Sequence, residues 1–489
     1  MKRKIALALT MAMLGTCLAG CGQANTDTNA STEANDTTAA VGTEAAETTE
    51  AEKEWYGTED GKTITLHFWG GVQPEYGYDD LCANFNEEYK DKGLQVEYVR
   101  YVNDDNGNLQ LETYLMGGGD VDLFIGYGGR NQKEKRVDSN LLLDMSGMLN
   151  DIGFNLDDEL GVANMAEYHY DDGAVYGFPT KYENSRWILI NEDMFKEAGL
   201  DIPYDGWTYS EFLEDAEKLT HGEGQDKVYG VCWARKQSGK SILYALDGVL
   251  GANQIYKNEE GTEVNFDNDV YRAGFNLVKE TLDKGYAIPI EDEFSEDISV
   301  ANTFLQGKCA IMLGVAQMRL CMDQENYPHD FTTALVPAPV PDDEKYNTEF
   351  YRKQIGTTGA GDLLSISANT KYPEASFEFA MWYLKGGMSP LVQGGRIPLW
   401  NGVNKDEVLS VLKEKAQGSI DMDSMENYLS LDTTQGVAAI KGHASSEISS
   451  AWFEEFDAMC YGKQSAEQTV QNMEKRGNEL IQTELSSQK

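Results

Sequence analysis

Histidine, paired cysteine, basic charge and long apolar runs are all scarce in this chain, and each scarcity removes a class of chemistry. The five histidines, His67, His169, His221, His329 and His443, are scattered through 489 residues. They offer no zinc-ligand spacing and no H-E-x-x-H helix. No G-x-S-x-G elbow is present either, so nothing points to a Ser–His–Asp hydrolase. There are seven cysteines and no C-x-x-C. Apart from Cys17 and Cys21 near the start, Cys82, Cys232, Cys309, Cys321 and Cys460 are an odd set. A dense disulfide framework is excluded, at most two bridges could form, and buried free thiols are the expected state. Forty Lys and Arg stand against 82 Asp and Glu, a net charge of −42. Such a surface repels phosphate backbones and anionic lipid heads, which excludes nucleic acid as a partner and keeps the protein soluble. Ser238-Gly239-Lys240-Ser241 ends like a phosphate-binding loop, but Ala234 stands where its first glycine must be. No solenoid or propeller period repeats.

The one apolar run, Ile5–Leu14, is shorter than the roughly 20 residues a spanning helix needs. Lys2, Arg3 and Lys4 precede it, and Leu18-Ala19-Gly20-Cys21 follow. Residues 1–20 therefore read as a secretory signal peptide. Resemblance to bacterial lipoproteins implies cleavage before Cys21 and lipid attachment there. The mature chain would then be tethered to the outer face of the cytoplasmic membrane. Residues 21–54 are dominated by Thr, Ala, Glu and Asn, with Val41 the only large aliphatic. They cannot offset the entropy of ordering, so a disordered acidic stalk is expected.

From Lys62 the pattern changes. Thr63–Trp69 alternates as a strand and stops at Gly70-Gly71. Leu81, Phe85 and Tyr89 lie on one face of a helix, and Gln95–Val102 reads as a second strand. A helix over Leu109–Met116 ends in three glycines, and Val121–Ile125 is a third strand. This order predicts a parallel α/β sheet, whose ligands bind beyond the carboxyl ends of the strands. Beyond about residue 420 the pattern is helical, with Trp452, Phe453 and Phe456 on a packing face.

Four blocks carry a family resemblance. They are Asp172–Pro179 (DGAVYGFP) with Trp187–Leu200 and Gly206–Phe212, then Asn302–Gly314, then Ser365–Phe379, then Gly395–Pro398. In this order they resemble family 1 extracellular solute-binding proteins, the receptors of bacterial ABC importers for sugars. Ile190 replaces the family's usual Tyr before Asn191. Asn191 and Asp193 are placed to cap the next helix.

The resemblance implies an α/β, two-lobe, periplasmic-binding-protein-like fold with its ligand between the lobes. The lobes would be 62–182 with 358–415, and 183–357 with 416–489. The chain would cross between them near Tyr182, Thr357 and residue 415. It implies no enzyme activity and no cofactor or metal, but a carbohydrate ligand and separate ABC permease subunits, with the receptor a monomer. Sugar sites combine aromatic faces with amides, carboxylates and Arg. The candidate contacts are Trp69, Gln73, Tyr127, Arg130, Tyr182, Asn184, Trp233, Gln317, Asp362, Arg396 and Trp400. Trp69→Ala and Trp233→Ala are expected to weaken binding without unfolding the protein. No cluster of Arg or Lys falls among the candidate loops, which favours a neutral sugar or oligosaccharide. A polyamine or a polyol phosphate on the same fold, a glycoside-active enzyme and a surface adhesin are the alternatives.

Overall fold

The computed structural model describes residues 55–487 apart from 103–107, 128, 162–164, 166–167, 171, 183–185, 236–254, 259, 297, 353–361 and 431–441. The side chains of 129–131, 316 and 350 are also outside the description. The leader, Cys21, the acidic stalk and Ser238–Ser241 thus lie outside the described residues.

Two sheets organise the fold. The first takes β1 (Ile64–Gly70), β2 (Leu94–Arg100), β3 (Leu123–Gly126), β4 (Phe178–Pro179) and β10 (Leu363–Ile366), in the order β2-β1-β3-β10-β4. The second takes β6 (Trp187–Asn191), β7 (Tyr229–Cys232), β8 (Cys309–Leu313) and β9 (Thr333–Pro337), in the order β7-β8-β6-β9. Between β4 and β6 the chain passes from one sheet to the other through β5 (Lys181–Tyr182), which pairs antiparallel with β11 (Ile397–Pro398).

Alternation in β1 buries Ile64, Leu66 and Phe68 on one face, as a half-covered strand requires. β6, in contrast, is buried at all five positions, as a strand covered on both faces is. β1 runs parallel to β2 and β3. The expectation of a parallel sheet holds for these three strands and fails for the rest, since β10 is antiparallel to both β3 and β4. The physical reason is connectivity. β1–β3 follow one another through helical crossovers, whereas β10 returns only after the chain has built the second sheet.

The helix Tyr78–Glu88 buries Tyr78, Leu81, Cys82 and Phe85, the i, i+3, i+4, i+7 stripe of an amphipathic helix. Phe68 and Phe85 both meet Phe379, with ring centres 5.2 and 4.9 Å away. Near the second sheet, Trp452 stacks on Phe456 at 4.9 Å and meets Phe275 at 5.7 Å. Phe453 is only half-buried and carries the Arg235 guanidinium 4.2 Å above its ring. All five cysteines from Cys82 to Cys460 are free thiols.

Helix starts follow local chemistry. Asn191 caps Glu192–Glu197 by accepting from Met194 N. Asp193 does not cap; its carboxylate accepts from Thr332 N instead. Thr208 and Glu211 form a reciprocal capping box at the start of Tyr209–Leu219. Thr208→Ala is expected to cost about 1 kcal/mol, read as a lowered urea midpoint at unchanged m-value. An unchanged midpoint would show that the box contributes nothing here.

Candidate ligand cleft

β1 and β3 both end in glycine, at Gly70 and Gly126. Tyr127 follows β3, and its Oη accepts from Gly71 N at 3.2 Å, joining the two strand ends. Arg396 Nη2 lies 3.5 Å from the same oxygen and donates to Asp362 Oδ2 at 2.7 Å. Lys181 Nζ approaches that carboxylate to 3.4 Å. Three segments distant in sequence, β5, the start of β10 and the start of β11, thus meet in one charged knot.

Asp362 and Arg396 are each only 8% exposed. Burial pushes the Asp362 carboxyl up, but Lys181 and Arg396 outweigh it and hold it below its ordinary value. It is a carboxylate at neutral pH. Burial pushes the Tyr127 hydroxyl up to about 12, against the pull of Arg396. Tyr127 is therefore a neutral hydrogen-bonding group.

The second sheet supplies the facing wall. After β8, Gly314–Gln317 turns into the short helix Met318–Met322, which carries Arg319. Gly395 has φ +75° and comes so close that a Cβ on it would lie 3.0 Å from Arg319 Cβ. Glycine thus permits both the left-handed turn and the close approach. Tyr76 Oη donates to Asp323 Oδ2 at 3.2 Å, and Asp323 also accepts from Asn326. Burial and Asp323 push the Tyr76 hydroxyl up to about 12.

Between these walls lies a pocket lined by Tyr76, Lys181, Tyr182, Arg319, Arg396 and Tyr428, with Val72, Val315 and Met318 as its apolar part. Tyr182 Oη donates to the Tyr428 carbonyl at 3.1 Å, and their rings meet edge to face at 5.1 Å. The space a water molecule can fill is about 40 Å³. That suits a few waters and is far below the roughly 300 Å³ where ligand pockets begin. In this arrangement the walls leave room between them for water but not for a sugar ring.

Of the residues expected from sequence, Tyr182 and Arg396 line the pocket, and Tyr127 and Asp362 hold Arg396 from behind. Gln73 is exposed before the turn Pro74–Tyr76, and Gln317 is half-buried one residue before Met318. Neither lines the pocket, although each neighbours a residue that does. Arg130 (side chain) and Asn184 lie outside the described residues.

The three tryptophans do not line this pocket. Trp69 is 4% exposed, packs on Tyr114 at 4.8 Å, and donates to the Asp120 carbonyl. Trp233 is 2% exposed and donates to Thr281 Oγ1 at 2.9 Å. Trp400 is half-buried and donates to Glu159 Oε2 at 2.6 Å. All three indole N–H groups have partners outside the pocket lining, and Trp69 and Trp233 gain further from the burial of their rings.

The expected absence of a cationic cluster is also corrected. Lys181, Arg319 and Arg396 converge on one pocket although well over a hundred residues separate the first from the second. Tyr76 and Tyr428 were likewise not singled out from sequence. Lys181 and Arg319 each stand within two residues of a chosen candidate, so the right turns were visible but not the right side chains. Tyr428, on the helix Met422–Leu429, had no local signal at all.

Among the described residues, no group of three or more His, Cys, Asp or Glu is placed to hold a metal. No helix of the described residues is long and apolar enough to cross a membrane.

Solved structures share this fold at low identity. A sugar transporter from Rhizobium etli, in an open conformation, matches with TM-score 0.65 and 17% identity over 85% of this chain and 99% of its own. An ABC substrate-binding protein from Listeria monocytogenes, in complex with cycloalternan, matches with TM-score 0.64 and 17% identity over 86% and 98%. The GacH receptor of Streptomyces glaucescens, unliganded and with acarbose, matches with TM-score 0.61 and 16% identity over 86% and 99%. The fold is the two-lobe binding-protein fold. Residues 70–385 match the bacterial extracellular solute-binding protein family, and that stretch contains the second sheet, the first sheet apart from β1, and Asp362; the chain belongs to this family.

Proposed function

We propose that this chain is the saccharide receptor of a bacterial ABC importer, anchored by lipid on Cys21 and held off the membrane by its acidic stalk. The lobes are 62–182 with 358–415, and 183–357 with 416–489. The ligand sits between them and is handed to permease subunits when they close. The observation that carries the reading is the pocket itself. It lies at the carboxyl ends of strands from both sheets, where ligands of such sheets bind. Tyr76, Tyr182 and Tyr428 offer ring faces and hydroxyls, and Arg396 offers a fixed guanidinium fork, the mixture a polyhydroxylated ring needs. Cycloalternan and acarbose bound to two proteins of this fold support a saccharide. With the walls closed to about 40 Å³, a saccharide can reach the pocket only when the lobes part.

A thermal-shift screen of the full chain against mono- and oligosaccharides, polyamines and polyol phosphates tests this. A ligand bound only by the native state raises the melting temperature, by about 2.7 kcal/mol of stabilisation at a hundredfold excess over Kd. A shift with one saccharide class is expected. A shift only with a polyamine or a polyol phosphate would keep the fold and overturn the sugar.

A further inference from the structure

The pocket is cationic in a chain whose net charge is −42. Lys181, Arg319 and Arg396 line it, and no acidic side chain among the described residues does. The two nearby carboxylates are already engaged: Asp362 with Arg396 and Lys181, Asp323 with Tyr76 and Asn326. Arg319 makes no ion pair among the described residues. Its Nε is buried and without a hydrogen-bond partner there, and so is Arg396 Nη1 on a residue 8% exposed. A buried charged N–H left without an acceptor is costly, and native structures retain few of them. Here two occur, one on each wall of the same pocket, where a ligand would come between them. A neutral hydroxyl could accept from either donor, but it would leave the surplus positive charge of the described pocket side chains uncompensated.

We propose that the ligand is an acidic saccharide, with a carboxylate of a uronic acid residue held between Arg319 and Arg396. This deepens the saccharide reading and rests on it. Guanidinium matches a planar carboxylate in geometry as well as charge, and such charge-assisted hydrogen bonds are the stronger kind. The carboxylate takes up the two orphaned N–H groups and balances the pocket's charge. It also links the walls, since Arg319 follows β8 of one sheet and Arg396 precedes β11 beside β5. Closure and charge recognition are then one event.

Calorimetry on the full chain tests this with galacturonate, glucuronate and mannuronate di- and trisaccharides, each paired with its carboxyl-reduced, neutral counterpart. At least one acidic member should bind about 10- to 100-fold more tightly than its reduced form. Arg319→Gln should remove most of that preference, weakening the acidic form far more than its reduced counterpart. Arg319→Lys should restore part of it, because the charge returns without the fork. Equal or tighter binding of the reduced sugars would overturn the inference and leave the saccharide reading standing. Binding of neither set, with a response to a non-sugar solute, would take down both. An acid preference untouched by Arg319→Gln would overturn the assignment to this pair. The wild-type comparison needs no variant, so it stands even if a variant fails to fold.

Discussion

Arg396→Ala is expected to abolish ligand binding and to cost about 3 kcal/mol of stability. The guanidinium and the Asp362 carboxylate are both buried and 2.7 Å apart, so removing one leaves the other charge in a poorly solvated place. Breaking such a pair costs about 3–5 kcal/mol. The lower end applies because Lys181, 3.4 Å from Asp362, still offers partial compensation. Asp362→Asn should cost at least as much, because it strips both cations of their counter-ion. The double variant Arg396→Met with Asp362→Asn should fall short of the sum of the singles.

The pH dependence has a definite sign. The folded Asp362 carboxyl sits below its ordinary value. Its contribution is therefore complete above the unfolded value, about 3.9, and is lost as pH falls through the folded value. The stability gap between wild type and Asp362→Asn should be full at pH 7 and begin to shrink below about pH 4. Urea denaturation at a series of pH values reads all of this. A gap constant down to pH 2 would show that the carboxylate's charge is not what the knot uses.

Trp233→Ala should destabilise the protein by about 3–5 kcal/mol and leave the affinity of the folded fraction unchanged. The ring is 2% exposed, packs on Phe212 at 5.6 Å, and gives its N–H to Thr281. Truncation opens a cavity and takes from the buried Thr281 hydroxyl the bond it accepts, leaving only the one it donates to the Val278 carbonyl. Trp69→Ala should behave alike, losing its contact with Tyr114 and its bond to the Asp120 carbonyl. Denaturation curves beside calorimetric titration separate the effects. A variant that keeps its stability but loses affinity would move the ligand site to the indole.

These tryptophans show where local reading stops. An aromatic at the end of a strand is equally suited to stack on a sugar or to close a core, and alternation alone does not distinguish them. For Trp69 and Trp233 the deciding contacts come from Tyr114 and Asp120 and from Phe212 and Thr281, about 20 to 50 residues away in the sequence. Glycine-bounded turns were better guides. Gly70, Gly126 and Gly395 mark strand ends and a close approach, and residues beside them, Tyr127 and Arg396, do meet at the cleft.

The sequence by itself determined the family, the strand–helix–strand opening of the first sheet, the amphipathic faces of its helices and the lack of a disulfide framework. Each is written in short-range spacing, and spacing survives in the unfolded chain. Only the tertiary structure decided the antiparallel return of β10, the burial of Trp69 and Trp233 and the gathering of Lys181, Arg319 and Arg396 around one pocket. That last point reverses the inference from composition. An acidic chain still builds a cationic pocket, because net charge sums over a surface while recognition depends on which few side chains the two sheets bring within a few ångströms.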